Sequence, residues 1–227
     1  MPSMATLLAA HFTVYVYDRR GRGESGDAST YAVEREVEDI AALIAEAGGK
    51  ASLFGISSGA VLALEAADRL PGVVKLALYE APLIVDDSRT PQPEGYLDEI
   101  RRCIAEHREG EALKMFMRLV GVPAPVVFIM PFTPMWPKAK RVAHTLPYDF
   151  TIIGDKQRGK PLPPGTWSRV VVPTLAAVGG KSPAWLQHAM QAVADVLPRA
   201  QLRTIPGQTH QVKAEVLVPV VVEFLRG

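Results

Sequence analysis

Ser57 is the residue best placed to do chemistry. It is the central serine of Gly55-Ile56-Ser57-Ser58-Gly59, between the apolar run Ala51–Phe54 and an alanine-rich stretch from Ala60 to Arg69. This layout predicts a strand, a tight turn and a helix, with the serine at the tip of the turn. A serine held there in a strained backbone conformation needs small residues two before and two after it, and Gly55 and Gly59 meet that need. The helix that follows aims its first amides at the same point, so the backbone N–H of Ser58 is the expected donor to an oxyanion.

A serine hydroxyl is almost fully protonated at neutral pH, and it needs a positioned imidazole to take its proton. His210 is the candidate base: it closes Gly207-Gln208-Thr209-His210, directly after a strand-like run ending at Ile205. The other histidines, His11, His107, His144 and His188, fall at a strand entry or in helical stretches and read as solvent-facing or structural, with His144 also a candidate substrate contact. The single cysteine, Cys103, excludes an intramolecular disulfide; its helical spacing with Ile100 and Ile104 reads as a buried thiol rather than a nucleophile. No His, Cys and Asp cluster has ligand spacing, so neither a metal nor a cofactor is expected.

The elements that must position these residues alternate along the chain. His11–Tyr17 reads as a strand, followed by the turn Asp18–Gly23. Residues 33–47 form an amphipathic pattern with Val33, Val37, Ile40, Leu43 and Ile44 on one face and Glu34, Glu36, Glu38 and Asp39 in its early turns. Strands are expected over 73–79, 169–178 and 201–205, and helices over 183–197 and 214–225. Such alternation predicts an α/β fold, a mostly parallel sheet flanked by helices.

Between Asp86 and Pro164 prolines cluster at 123, 125, 131, 134 and 137 and methionines at 115, 117, 130 and 135. This stretch predicts an inserted helical cap, giving an organisation of core residues 1–87, cap 88–165 and core 166–227. The methionines, with Phe116, Phe128, Phe132 and Trp136, either line an apolar substrate pocket or seal the cap.

With 25 Lys and Arg against 24 Asp and Glu among 227 residues, the formal charge is +1. The basic residues form no continuous block, so neither nucleic acid nor an anionic membrane is an expected partner. The opening Met1-Pro2-Ser3-Met4-Ala5 has no basic region and no long apolar core, so a soluble cytoplasmic chain is expected.

Three segments together resemble the α/β-hydrolase fold: Asp18-x-Arg20-Gly21-x-Gly23-x-Ser25, Gly55-x-Ser57-x-Gly59, and Gly207-Gln-Thr-His210. The resemblance implies a Ser-His-acid triad with serine first and histidine last. Many relatives carry an aspartate in a G-x-x-D-P loop, where Gly179–Pro183 here has Ser182. Others, haloalkane dehalogenase relatives among them, use an acid at the end of the strand after the elbow, which Tyr79-Glu80-Ala81 resembles. Glu80 is then the implied acid, with Asp86 and Asp87 as alternatives; a carboxylate anchoring the cap is the structural reading of Glu80.

The initial strands of that family, and the His-Gly loop that supplies a second oxyanion donor, have no counterpart in the chain; losing one such donor costs about 10²–10³ in rate. An uncovered sheet edge favours a homodimer. The expected function is a serine hydrolase acting on a small, mainly apolar ester. The alternatives are C–C cleavage or a lyase reaction on the same fold, and a catalytically silent ligand-binding protein. Dehalogenation is disfavoured, because its elbow nucleophile is a carboxylate where this chain has Ser57.

Overall fold

A computed structural model describes residues 3–27 and 30–227 of the chain. Four short apolar runs form one parallel sheet in the order β1 (Ala51–Ile56), β2 (Val73–Tyr79), β3 (Thr174–Gly179) and β4 (Ala200–Ile205). In chain order the helices are α1 (Met4–Ala9), α2 (Val33–Glu46), α3 (Ser58–Arg69), α4 (Tyr96–Ala105), α5 (Glu109–Leu119), α6 (Ala124–Ile129), α7 (Trp136–Val142), α8 (Leu146–Ile153), α9 (Ala184–Val196) and α10 (Ala214–Arg226). Parallel neighbours need crossovers, and α3 and α9 supply them between β1 and β2 and between β3 and β4.

The two central strands are buried on both faces, as a parallel sheet covered by helices requires. Ala77, Tyr79, Leu175 and Ala177 pack into one cluster with Leu217, Val218, Val221 and Val222 of α10 and with Leu8 of α1. The alternate residues Leu76, Leu78, Ala176 and Val178 are equally buried.

The chain divides into two compact units. One comprises Met1–Tyr17, Glu34–Pro91 and Asp155–Gly227 and holds the sheet; the other comprises Asp18–Val33 and Gln92–Gly154 and is helical. Residues 18–33 therefore group with the helices rather than with the sheet. Both Arg19 and Arg22 donate to the Asp149 carboxylate of α8, at 2.9 and 2.8 Å, and Tyr148 donates to Asp27. The core of the helical unit gathers Ile100, Cys103, Leu113, Leu146 and Phe150, with Met115, Phe116, Met117 and Trp136 packed against it.

Two expected strands are corrected by the structure. Residues 11–17 form no ladder: Phe12 and Val14 pack on the sheet cluster, but among the described residues no strand pairs with the segment, and pairing is what makes extended chain a strand. The third strand begins at Thr174 rather than Arg169, because Pro173 has no N–H to give the ladder and residues 167–170 turn at Trp167, whose φ is 53°.

The turn at Ser57 asks less of its glycines than the motif implies. A Cβ on Gly55 would lie 2.3 Å from the Gly59 carbonyl oxygen, whereas a Cβ on Gly59 would meet nothing within 4 Å. Gly55→Ala is therefore expected to destabilise the fold by about 1–3 kcal/mol, as overpacking against backbone does. Gly59→Ala, inside α3, should be neutral or stabilise by roughly 0.5–1 kcal/mol. Thermal unfolding of the two variants checks this; equal losses would contradict the geometry.

Candidate active site

Parallel register brings the chemistry-bearing residues to one edge of the sheet. Ile56 pairs with Tyr79, Tyr79 with Ala177, and Gly179 with Ile205, so the segments after all four strands emerge side by side at their carboxyl ends. Ser57 follows β1, Glu80 follows β2, Ser182 follows β3 and His210 follows β4. The Ser57 N–H donates to the Tyr79 carbonyl at 2.9 Å and the Glu80 N–H to that of Ala177 at 3.1 Å, carrying the ladder one residue into each turn.

Both turn residues then leave ordinary backbone space. Ser57 has φ 58° and ψ −129°, and Glu80 has φ 50°. Left-handed φ in a non-glycine residue costs on the order of 1–3 kcal/mol and persists only where its surroundings hold it. Ser58 opens α3 directly behind Ser57, so its amide belongs to the first turn of that helix.

Glu80 is the centre of the site. Its side chain is fully buried, and its carboxylate faces His210 Nδ1 at 2.8 Å through Oε2. Oε1 accepts from the Gly179 N–H at 2.7 Å and from the Ser182 hydroxyl. Burial by itself would push the Glu80 carboxyl up; the hydrogen bonds from His210, Ser182 and Gly179 outweigh it and hold the group below the ordinary glutamate range. An ionised carboxylate can only accept, so the proton of a neutral His210 sits on Nδ1 and Nε2 is presented as a base.

The histidine loop is held by its neighbours. Buried Tyr79 donates its hydroxyl to the Thr209 carbonyl at 2.7 Å, and burial with the adjacent Glu80 charge raises its pKa, which keeps that proton in place. Lys181 N–H donates to the Gln208 carbonyl at 2.8 Å, an approach so close that a Cβ on Gly179 would lie 2.5 Å from the same oxygen. His210 itself is 40% exposed. Among the described residues neither its Nε2 nor the Ser57 hydroxyl has a hydrogen-bond partner.

The other sequence candidates lie elsewhere. Asp86 bonds His188 Nδ1 at 2.5 Å and caps Ser88, so it is engaged with a different histidine, and Asp87 is exposed. His144 faces Asp27 at 3.5 Å, His11 faces Arg226, and His107 is exposed. Cys103 is buried, which raises its thiol pKa. Of the candidate pocket residues, Met115, Phe116, Met117 and Trp136 pack into the core of the helical unit, whereas Phe128, Phe132 and Met135 are exposed. Among the described residues, no three His, Cys, Asp or Glu side chains converge to hold a metal ion, and no helix is long and apolar enough to cross a membrane.

Ser182, Gly179 and Tyr79 are the contributors that sequence reasoning missed. Ser182 carried a signal, a small hydroxyl where an acid was expected; its role as donor to Glu80 needed the fold.

A model of the alpha/beta hydrolase family matches residues 1–219. The chain belongs to that family. An alpha/beta hydrolase from Sphaerobacter thermophilus DSM 20745 is 48% identical, with a TM-score of 0.87 over 98% of this chain and 85% of that one. The uncharacterized hydrolase YraK of Bacillus subtilis (strain 168) is 32% identical over 123 residues, a match spanning 51% of this chain and 44% of YraK. The enol-lactonase from Burkholderia xenovorans LB400 shares the hydrolase fold at 19% identity, with a TM-score of 0.69 over 99% of this chain and 85% of that one.

Since Glu80 is held below its ordinary value of 4.5, its ionised form adds stability above about pH 4.5 that is lost as pH falls through the lowered value. Ser182→Ala removes one donor from the buried charge and is expected to cost about 1–3 kcal/mol near neutral pH. The gap from wild type should narrow on acidification, as thermal unfolding across that range would show. A constant gap would mean that Ser182 acts only through packing.

Proposed function

We propose that the chain is a serine hydrolase that cleaves small, mainly apolar esters. The observation that carries this reading is the buried Glu80 carboxylate on His210 Nδ1 at 2.8 Å, on the sheet edge where the strained Ser57 turn also emerges. In the proposed reaction Ser57 Oγ attacks the ester carbonyl carbon as His210 Nε2 takes the hydroxyl proton. Glu80 stabilises the resulting imidazolium, which a neutral group in its place would not do. The Ser58 N–H, at the start of α3, donates to the tetrahedral oxyanion. The intermediate collapses as His210 returns the proton to the departing alkoxide, leaving an acyl-serine and an alcohol. Water then attacks the acyl carbon as His210 takes its proton, and the Ser57–acyl bond breaks as His210 gives that proton to Ser57 Oγ, releasing a carboxylic acid and the free serine hydroxyl.

Each role is matched by a physical need. The left-handed φ of Ser57 sets it at the sharp turn from β1 into α3, and the Ser58 amide belongs to the first turn of that helix, where the helix dipole favours negative charge. Tyr79 and the 179–182 loop hold His210 and Glu80 without touching the ester; they are positioning residues.

Turnover of short-chain p-nitrophenyl esters, with fluorophosphonate labelling alongside, tests the reading. Ser57→Ala is expected to abolish both signals. Glu80→Gln should lower kcat by about 10⁴-fold, the scale seen when a triad carboxylate is neutralised. Asp86→Asn should leave kcat unchanged, because Asp86 is bound to His188. Esterase activity that survives Ser57→Ala would overturn the proposal.

A further inference from the structure

The helical unit carries an apolar face that its own core does not use. Phe132 is 80% exposed, Phe128 74%, Met135 68% and Ile129 58%. All four lie between the start of α6 and the start of α7, in a stretch that prolines 125, 131 and 134 cut into short turns. Exposed aromatic and aliphatic side chains contiguous in this way mark an interaction surface rather than ordinary surface scatter.

Within the stretch of sequence that carries this face the charges have one sign. From residue 112 to 148 there is no Asp or Glu, but there are five cations: Lys114, Arg118, Lys138, Lys140 and Arg141. With the whole chain at +1, the remaining residues together carry a net −4. Along the sequence the cations stand apart, separated by the uncharged run 119–137, which is why they do not read as a basic block. The fold brings the two groups together. Lys114 of α5 lies over the ring of Trp136, the first residue of α7, at 5.9 Å. Lys114 and Arg118 also line an open groove of about 430 Å³ with Phe128 and Val127 of α6.

Among the described residues none of the five forms an ion pair, whereas Arg19, Arg22, Arg69, Arg102, Arg169 and Arg203 all do. An isologous contact with a second copy would set one cationic face against another, a like-charge arrangement that interfaces avoid. An anionic lipid surface satisfies both features. Phenylalanine, isoleucine and methionine enter the headgroup boundary, and clustered Lys and Arg side chains reach the lipid phosphates.

We propose that this face, built from α5, α6, α7 and their connections, docks the chain on anionic lipid surfaces. The prolines and short helices make it a surface attachment and not a spanning one. The inference does not depend on the ester chemistry proposed above, and its test has a separate readout.

Flotation of the full chain with vesicles decides it. Binding to vesicles containing phosphatidylglycerol should exceed binding to pure phosphatidylcholine by at least about tenfold and weaken as salt is raised. The charge reversal K138E/K140E/R141E and the double change F128S/F132S should each lower anionic-vesicle binding by at least about tenfold. Circular dichroism of each variant verifies its fold, and the single change Phe132→Ser, at an 80% exposed site, supplies a milder version of the same test. Absence of vesicle binding, or binding equal in wild type and folded variants, would overturn the proposal. So would a dimer that F128S/F132S returns to monomer, since the face would then belong to a second copy.

Discussion

A carboxylate with no solvent exposure holds the carboxyl edge of the sheet together. Glu80 sits where burial would drive it to the neutral acid, and it stays charged only because His210, Ser182 and the Gly179 N–H all point at it. Those donors come from the last residue of β3 and from the segments after β3 and β4, while Glu80 directly follows β2. One buried charge therefore ties three strand ends to one another, and removing any donor leaves part of it unsatisfied in a low-dielectric site. The strained φ of Glu80 is tolerated for the same reason.

Everything else at this edge follows from parallel register. Strands that run in one direction deliver all their following turns to the same side, which is where ligand sites form in open α/β sheets. The sheet interior supplies the rigidity: Leu76, Leu78, Leu175 and Ala176 are almost completely buried. Tyr79 links the two levels, its ring in the cluster with α10 and its hydroxyl on the Thr209 carbonyl. A core residue thus sets the height of the loop that carries His210.

The helical unit divides its apolar residues between two tasks. Met115, Phe116, Met117 and Trp136 close its core, with Phe116 and Phe150 in an edge-to-face contact at 6.3 Å. Phe128, Phe132 and Met135 are exposed, and Phe128 shares a groove with Lys114 and Arg118. Hydrophobicity along the chain is the same for both groups. Only the turn that each occupies decides whether it stabilises the unit or presents a surface.

Much of this architecture was legible in the residues. Hydrophobic runs of the right length marked β1, β2 and β4, helical periodicity marked α2, α3, α9 and α10, and the Gly-x-Ser-x-Gly spacing placed the Ser57 turn. Such signals are local, since period and turn chemistry depend on neighbours within a few residues. What tertiary structure alone decided was every relation between distant segments. It chose Glu80 over Asp86 as the carboxylate facing His210, made Ser182 a hydrogen-bond donor, left residues 11–17 without a ladder, and set Lys114 and Arg118 in one groove with Phe128. The partners of Glu80 and the pairing of β2 with β3 are both fixed by chain about a hundred residues away or more, where no local pattern in the sequence can register it.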